Sequence, residues 1–302
     1  METHALPGAR FVDPQILARI RNLELLARTV VHGFINGLHR APYFGASIDF
    51  AEHRGYVPGD DIRRVDWKVF ARTDRFYVKQ YEADTNTNFV VLLDVSKSMG
   101  FASQGISKLE YASYVAACLA YMSHRQRDRV GIITFDDEIV AHVPASAKHF
   151  NVLLHTLDRA KPEKPGHLPP VLGRIAEHFK RRSMVALISD FYENPEDILE
   201  AIKPYRFLGN DIVVFHVLDP AEIVFPYRDA SRFEDLETGE EMPVIPESFA
   251  EQYRKLIQEH IEGLRTRFSN ERIDYVLLDT SKPLDEALFT YLGHRERMMR
   301  VR

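Results

Sequence analysis

Three oxygen-bearing side chains stand at alternate positions in NFVVLLDVSKSMG, residues 88–100: Asp94, Ser96 and Ser98. A carboxylate and two hydroxyls on one turn are hard donors, and hard divalent cations such as Mg2+ take such donors while keeping part of their water shell. A fourth candidate is Asp190, which ends the apolar run MVALIS, 184–189, in the same way. If both runs are central parallel strands, the two carboxylates share one sheet edge, and open α/β sheets bind ligands beyond the carboxyl ends of their strands. The plainer use of the same residue types is to cap backbone N–H groups at a strand-to-helix turn.

The elements that must position these groups follow an α/β pattern. Apolar strand-like runs over 89–95, 129–135, 183–189, 211–218 and 273–279 alternate with helical periodicity over 108–125, 149–159, 170–180, 195–205, 248–268 and 284–292. This alternation predicts a mostly parallel sheet covered by helices on both faces. A short antiparallel edge strand is expected over 139–143, after a DDE turn in which Asp136 and Asp137 act as turn formers; Asp136 is also placed to approach the carboxyl edge. The helix over 108–125 is apolar on nearly every face, so another layer should cover it, whereas 248–268 is amphipathic and covered on one side. Residues 221–247 carry two short apolar runs around a Thr-Gly turn and read as an inserted β-hairpin.

The first 88 residues break the pattern. A helix over 14–38 and extended segments over 46–53 and 76–82 surround RGYVPGDDIRRVDWKVFART, residues 54–73. Pro58 and Gly59 suit the centre of a type II turn, Asp60 or Asp61 can cap a short helix, and Ile62, Val65 and Val69 share one face of it. Trp67, the single tryptophan, is expected to pack, with Asp66 and the neighbouring arginines paired. The division is thus an extension over 1–88 and a sheet domain over 89–302.

Composition narrows the function. A chain of 302 residues with 45% hydrophobic content can bury a large core, and 39 basic against 44 acidic residues give a net charge of −5. No global positive field points to nucleic acid, and the arginines of 54–73 are interleaved with Asp60, Asp61, Asp66 and Asp74, as in a salt-bridged structural face. Cys118 sits in an apolar run as a small buried hydrophobe, which suits a reducing compartment. The N-terminus has no signal-peptide core, and the longest apolar run, 114–122, is too short to span a bilayer, so a cytoplasmic location without membrane insertion is expected. No P-loop, G-x-S-x-G elbow or H-E-x-x-H is present, and the 13 histidines lack ligand spacing. Among them, His149, His155 and His216 read as surface or satisfied core residues.

The D-x-S-x-S arrangement resembles the metal-ion-dependent adhesion site of von Willebrand factor A domains, and the order of elements from residue 89 onward is similar to that fold. The resemblance implies that two serines, a threonine from a second loop and an aspartate from a third hold Mg2+ or Mn2+, directly or through water. One position stays open for an acidic residue of a partner. By motif position, Asp94, Ser96 and Ser98 fall on the first loop and Asp190 on the third. The second loop, PGHLPPVLGR, has His167 and Leu168 where a threonine is expected.

The motif Y-x-x-G-D-D-x-R-R-x-D-W, with Tyr56, Gly59, Asp60, Arg63, Asp66 and Trp67, resembles the hallmark of a bacterial family catalogued as domain of unknown function 58. FVVLLDVSKSM, GIITFDD, FHVLDPAEI and DLETGEE extend that resemblance over nearly the whole chain. It implies a von Willebrand A-like domain with an N-terminal extension, many relatives being encoded beside AAA+ ATPases of the MoxR type. The expected function is a non-catalytic adaptor that works with such an ATPase in maturing or assembling client proteins. Two alternatives stay open: a metal-dependent phosphotransferase built on Asp94, and a metal-free scaffold whose hairpin or N-terminal region makes the contacts.

Overall fold

The structure, a computed structural model, describes residues 14–20, 22–40, 53–55, 77–79, 87–179, 181–228, 231–236, 238–244 and 246–300. Helix α1 (Pro14–Leu17) and helix α2 (Leu23–Arg40) replace the single helix expected over 14–38. The break is chemical: Asn22 accepts a hydrogen bond from Leu25 N at 2.9 Å, so it starts a new helix instead of continuing the old one. Strands β1 (His53–Gly55) and β2 (Tyr77–Lys79) pair antiparallel, with His53 opposite Lys79. The motif between them, with Tyr56, Gly59, Asp60, Arg63, Asp66 and Trp67, and the turn and short helix expected there lie outside the described residues.

The main sheet contains β3 (Asn88–Asp94), β4 (Arg129–Phe135), β5 (Ile139–Ser146), β6 (Ser183–Ser189), β7 (Asp211–Leu218) and, after an inserted ribbon of β8 (Ser231–Glu234) and β9 (Glu241–Val244), β10 (Asp274–Asp279). Its order is β10-β7-β6-β3-β4-β5, parallel throughout except for the antiparallel edge strand β5. Strand β3 is therefore central, and its unbroken apolar run has a simple cause. Phe89, Val91 and Leu93 face one hydrophobic cluster while Val90 and Leu92 face another.

Helices α3 (Lys108–Arg125), α4 (Phe150–Arg159), α5 (Leu168–Ala176), α6 (Pro195–Phe207), α7 (Pro220–Val224), α8 (Pro246–Asn270) and α9 (Asp285–Arg300) complete the chain. The first cluster holds side chains of α3, α4 and α9, and the second those of α5, α6 and α8. Helix α3 is apolar all round because α2 covers the side that the sheet does not. Leu26, Ala27, Val30, Val31 and Phe34 join the same buried cluster, and burying a Leu, Val or Phe side chain stabilises by about 1.5–3 kcal/mol. The N-terminal extension thus shares a core with the sheet domain. Ser107 caps α3 by accepting from Glu110 N.

Other boundaries differ from expectation as well: α9 runs on to Arg300 and β5 to Ser146. Helix α5 begins at Leu168 because Pro169 and Pro170 fit its first turn, where no N–H is needed, and it ends at Ala176, short of residue 180. The region 221–247 is not wholly a hairpin. Asp219 and Glu222 form a reciprocal capping box around Pro220, which makes residues 220–224 helical, and only then do β8 and β9 pair. Among the described residues no helix is long and apolar enough to cross a membrane.

Candidate functional site

Strands β3 and β6 are parallel neighbours, with Leu93 level with Ile188, so their carboxyl ends deliver Asp94 and Asp190 to one edge. Asp94 is only 6% exposed. Its Oδ1 accepts from Ser96 N at 2.9 Å and its Oδ2 from the Ser189 hydroxyl at 2.6 Å. Burial, and then the negative charge of Asp190, push the Asp94 carboxyl up to about 7, although the donors from Ser189 and Ser96 pull the other way. A positive charge at this edge would relieve that crowding. Above it, the hydroxyls of Ser96 and Ser98 stand 3.2 Å apart. That separation is close to the roughly 3 Å between adjacent ligands of an octahedral ion with bonds of about 2.1 Å. The first loop therefore fits a hard cation in donor type and in spacing.

The second loop approaches with backbone and not with a hydroxyl. Lys97 N donates to Lys164 O at 2.8 Å, and Gly166 lies directly against the Ser96 side chain. His167 is exposed and makes no side-chain cap for α5. The Glu193 carboxylate does that work from the loop after β6, accepting from Leu168 N at 2.8 Å.

At the third loop, Asp190 meets a residue of α3 that sequence reasoning missed, Lys108. Asp190 Oδ2 lies 2.7 Å from Lys108 Nζ, and the same ammonium lies 2.7 Å from Glu222 Oε1. The Lys108 side chain is 0% exposed, and its Nζ also sits 4.8 Å from the centre of the Tyr192 ring. Burial alone would lower its pKa, but Asp190 and Glu222 together raise it, so the amine stays charged. Glu222 is fixed in turn, its Oε2 accepting from Asp219 N at 2.8 Å. Asp219 accepts from Ala221 N and from the backbone and hydroxyl of Ser103, which ties the loop before α3 to α7. A signal for Lys108 did exist: a lysine in the first turn of an otherwise apolar helix opposes the helix dipole and needs compensating carboxylates.

Asp190 is aimed by its neighbour. Phe191 adopts φ 49, in the left-handed region that a bulky side chain rarely enters. It is held there by Ser189 Oγ, which accepts from Phe191 N at 3.2 Å, and by His260 Nε2, which donates to Phe191 O at 2.7 Å. Next to this turn, His216 is a buried core residue, as the sequence leads one to expect. Its Nδ1 bonds the Tyr275 hydroxyl at 2.7 Å, and burial lowers its pKa to about 3. His149 bonds Pro144 O through Nδ1 at 2.7 Å, and His155 is exposed. Asp136 accepts from Glu138 N at 2.9 Å as a turn former. Among the described residues no three His, Cys, Asp or Glu side chains group as metal ligands.

Comparison with known proteins adds the family. Residues 52–263 match the family described as "Protein of unknown function DUF58". The chain belongs to that family. Relatives of this DUF58 protein include uncharacterized proteins of Mycobacterium bovis and Mycobacterium tuberculosis, each 29% identical over 235 residues, covering 75% of this chain and 73% of theirs. Among solved structures, it is similar to the conserved hypothetical protein BatB from Bacteroides thetaiotaomicron, with a TM-score of 0.50 at 16% identity, over 71% of this chain and 99% of that one. The SpRpn10 VWA domain matches at a TM-score of 0.42 and 12% identity, over 67% of this chain and 93% of that domain. The DUF58 protein has a von Willebrand factor A-like fold, a mostly parallel six-stranded sheet with helices on both faces.

Proposed function

We propose that this DUF58 protein is a non-catalytic protein-binding adaptor of the cytoplasm that recognises its partner at the carboxyl edge of the sheet. The observation that carries this reading is that the parallel neighbours β3 and β6 bring Asp94 and Asp190 to one sheet edge, where the first loop holds the Ser96 and Ser98 hydroxyls 3.2 Å from each other. Asp94, Ser96 and Ser98 are the residues that would hold Mg2+ or Mn2+, with Asp190 beside them at the third-loop position, paired to Lys108. Such an ion would supply positive charge and an open coordination position to an acidic side chain of the partner. Binding is favoured over phosphoryl transfer because Ser96 stands two residues after Asp94, where an aspartyl-phosphate Asp-x-Asp pattern needs a second carboxylate. The partner class in this reading is a MoxR-type AAA+ ATPase, with a client protein that the pair matures or assembles.

A metal-free scaffold is the second reading, favoured by Gly166 in the second loop and by the Lys108 ion pair at Asp190. Affinity capture from the native cytoplasm, with wild type and Asp94→Ala in Mg2+ and in chelator, separates the two. An AAA+ ATPase or discrete client retained only by wild type in Mg2+ supports metal-dependent recognition. The same partners in all four samples would move the interface away from the strand ends.

A further inference from the structure

Asp190 stands where the family resemblance places the third-loop ligand, yet its Oδ2 faces an ammonium at 2.7 Å. Lys108 is not a surface lysine that can swing aside. It is fully buried in the first turn of α3, held by Asp190, by Glu222 at 2.7 Å and by the Tyr192 ring. Glu222 is locked by the capping box of α7, and Asp190 by the left-handed turn at Phe191. A side chain removed from water in this way keeps its charge only while its carboxylates stay in place.

The geometry points to Lys108 as the resident cation of the third loop, which withholds Asp190 from a divalent ion and leaves Asp94, Ser96 and Ser98 as the ion's protein ligands. This inference rests on the strand-end edge being a cation site. One carboxylate makes a weaker site than two, since affinity for hard cations rises with the charge of the ligand set. The acidic side chain of the partner then supplies the missing charge, so ion and partner are retained together and neither tightly alone.

The test is a calorimetric titration of Mn2+ into the full chain. Two double variants carry the same cluster charge as wild type: Lys108→Met with Glu222→Gln, which leaves Asp190, and Lys108→Met with Asp190→Asn, which leaves Glu222. The first should bind Mn2+ at least tenfold more tightly than wild type, and the second within about threefold of it. A tenfold loss in the second would show that Asp190 is already a ligand and would overturn the inference, as would no gain in the first. If the first variant fails to fold by circular dichroism, the second still decides. Asp94→Ala reports on the underlying reading: Mn2+ binding that ignores this change places the ion elsewhere and sinks the strand-end site itself. No binding by any variant defeats both.

Discussion

Gly166 rests so close to Ser96 that a Cβ at residue 166 would stand 2.6 Å from the Cβ of Ser96. Side chains do not approach that closely, and Ser96 is itself pinned by its N–H bond to Asp94 and its hydroxyl contact with Ser98. Gly166→Ala is therefore expected to destabilise the fold by roughly 1–3 kcal/mol through overpacking and to disturb the hydroxyl pair. Urea unfolding measures the first effect. An unchanged midpoint would mean that the 160–167 loop moves away freely and does not form part of the site.

Removing Lys108 alone should cost far more than removing it with a partner. Lys108→Met leaves Asp190 and Glu222 buried without their common cation, and breaking a buried pair this way typically costs about 3–5 kcal/mol. Adding Glu222→Gln removes one of the two stranded charges and should recover at least about 1 kcal/mol. A double-mutant cycle by chemical denaturation checks this, and additive losses would show that the two side chains do not act as a unit.

Most of this architecture was legible in the sequence for physical reasons, and the exceptions have physical reasons too. Strand β3 is apolar on both faces because helices cover both, and that continuous run is what marks a central parallel strand. Helix α3 announced its second cover by lacking a polar face. The apolar run at the start of 221–247 reads as strand, yet the Asp219–Glu222 capping box makes its first residues helical, a local signal that the sequence does contain. The break at Asn22 is also local, a side chain competing with the helix ladder. Asp94 and Asp190 were found because each ends its own strand. Lys108 and Glu222 are 114 residues apart and meet only through tertiary folding, so no spacing rule connects them.

His216 makes stability depend on pH in a defined direction. Its folded-state pKa is lowered by burial to about 3, from an ordinary 6.5, so the unfolded chain takes up a proton in that window and the native chain does not. Stability from this group is intact above pH 6.5 and is lost as pH falls toward 3, by at most about 1.4 kcal/mol per unit. Asp94 acts in the opposite sense. Its raised carboxyl is protonated in the native state between 3.8 and about 7, so its contribution grows as pH falls through that range. Comparing wild type with His216→Gln isolates the histidine: the variant should lose less stability between pH 6.5 and 4.5. Parallel pH profiles would show that the ring is solvated in the native protein.

Mg2+ should stabilise the wild-type protein through Asp94. A ligand that binds only the folded state adds about 1.4 kcal/mol when present at ten times its Kd. The increment is measured within each protein, with and without Mg2+, so the intrinsic cost of a substitution cancels. Asp94→Asn removes the charge beneath the Ser96 and Ser98 hydroxyls and should abolish the increment. Lys108→Met with Glu222→Gln, which frees Asp190, should enlarge it at the same Mg2+ concentration. If no protein in the series responds to Mg2+, charge crowding at Asp94 is relieved by a proton and not by an ion. Recognition then belongs to a metal-free surface, and substitutions along the β8–β9 ribbon should outweigh Asp94→Asn in partner capture.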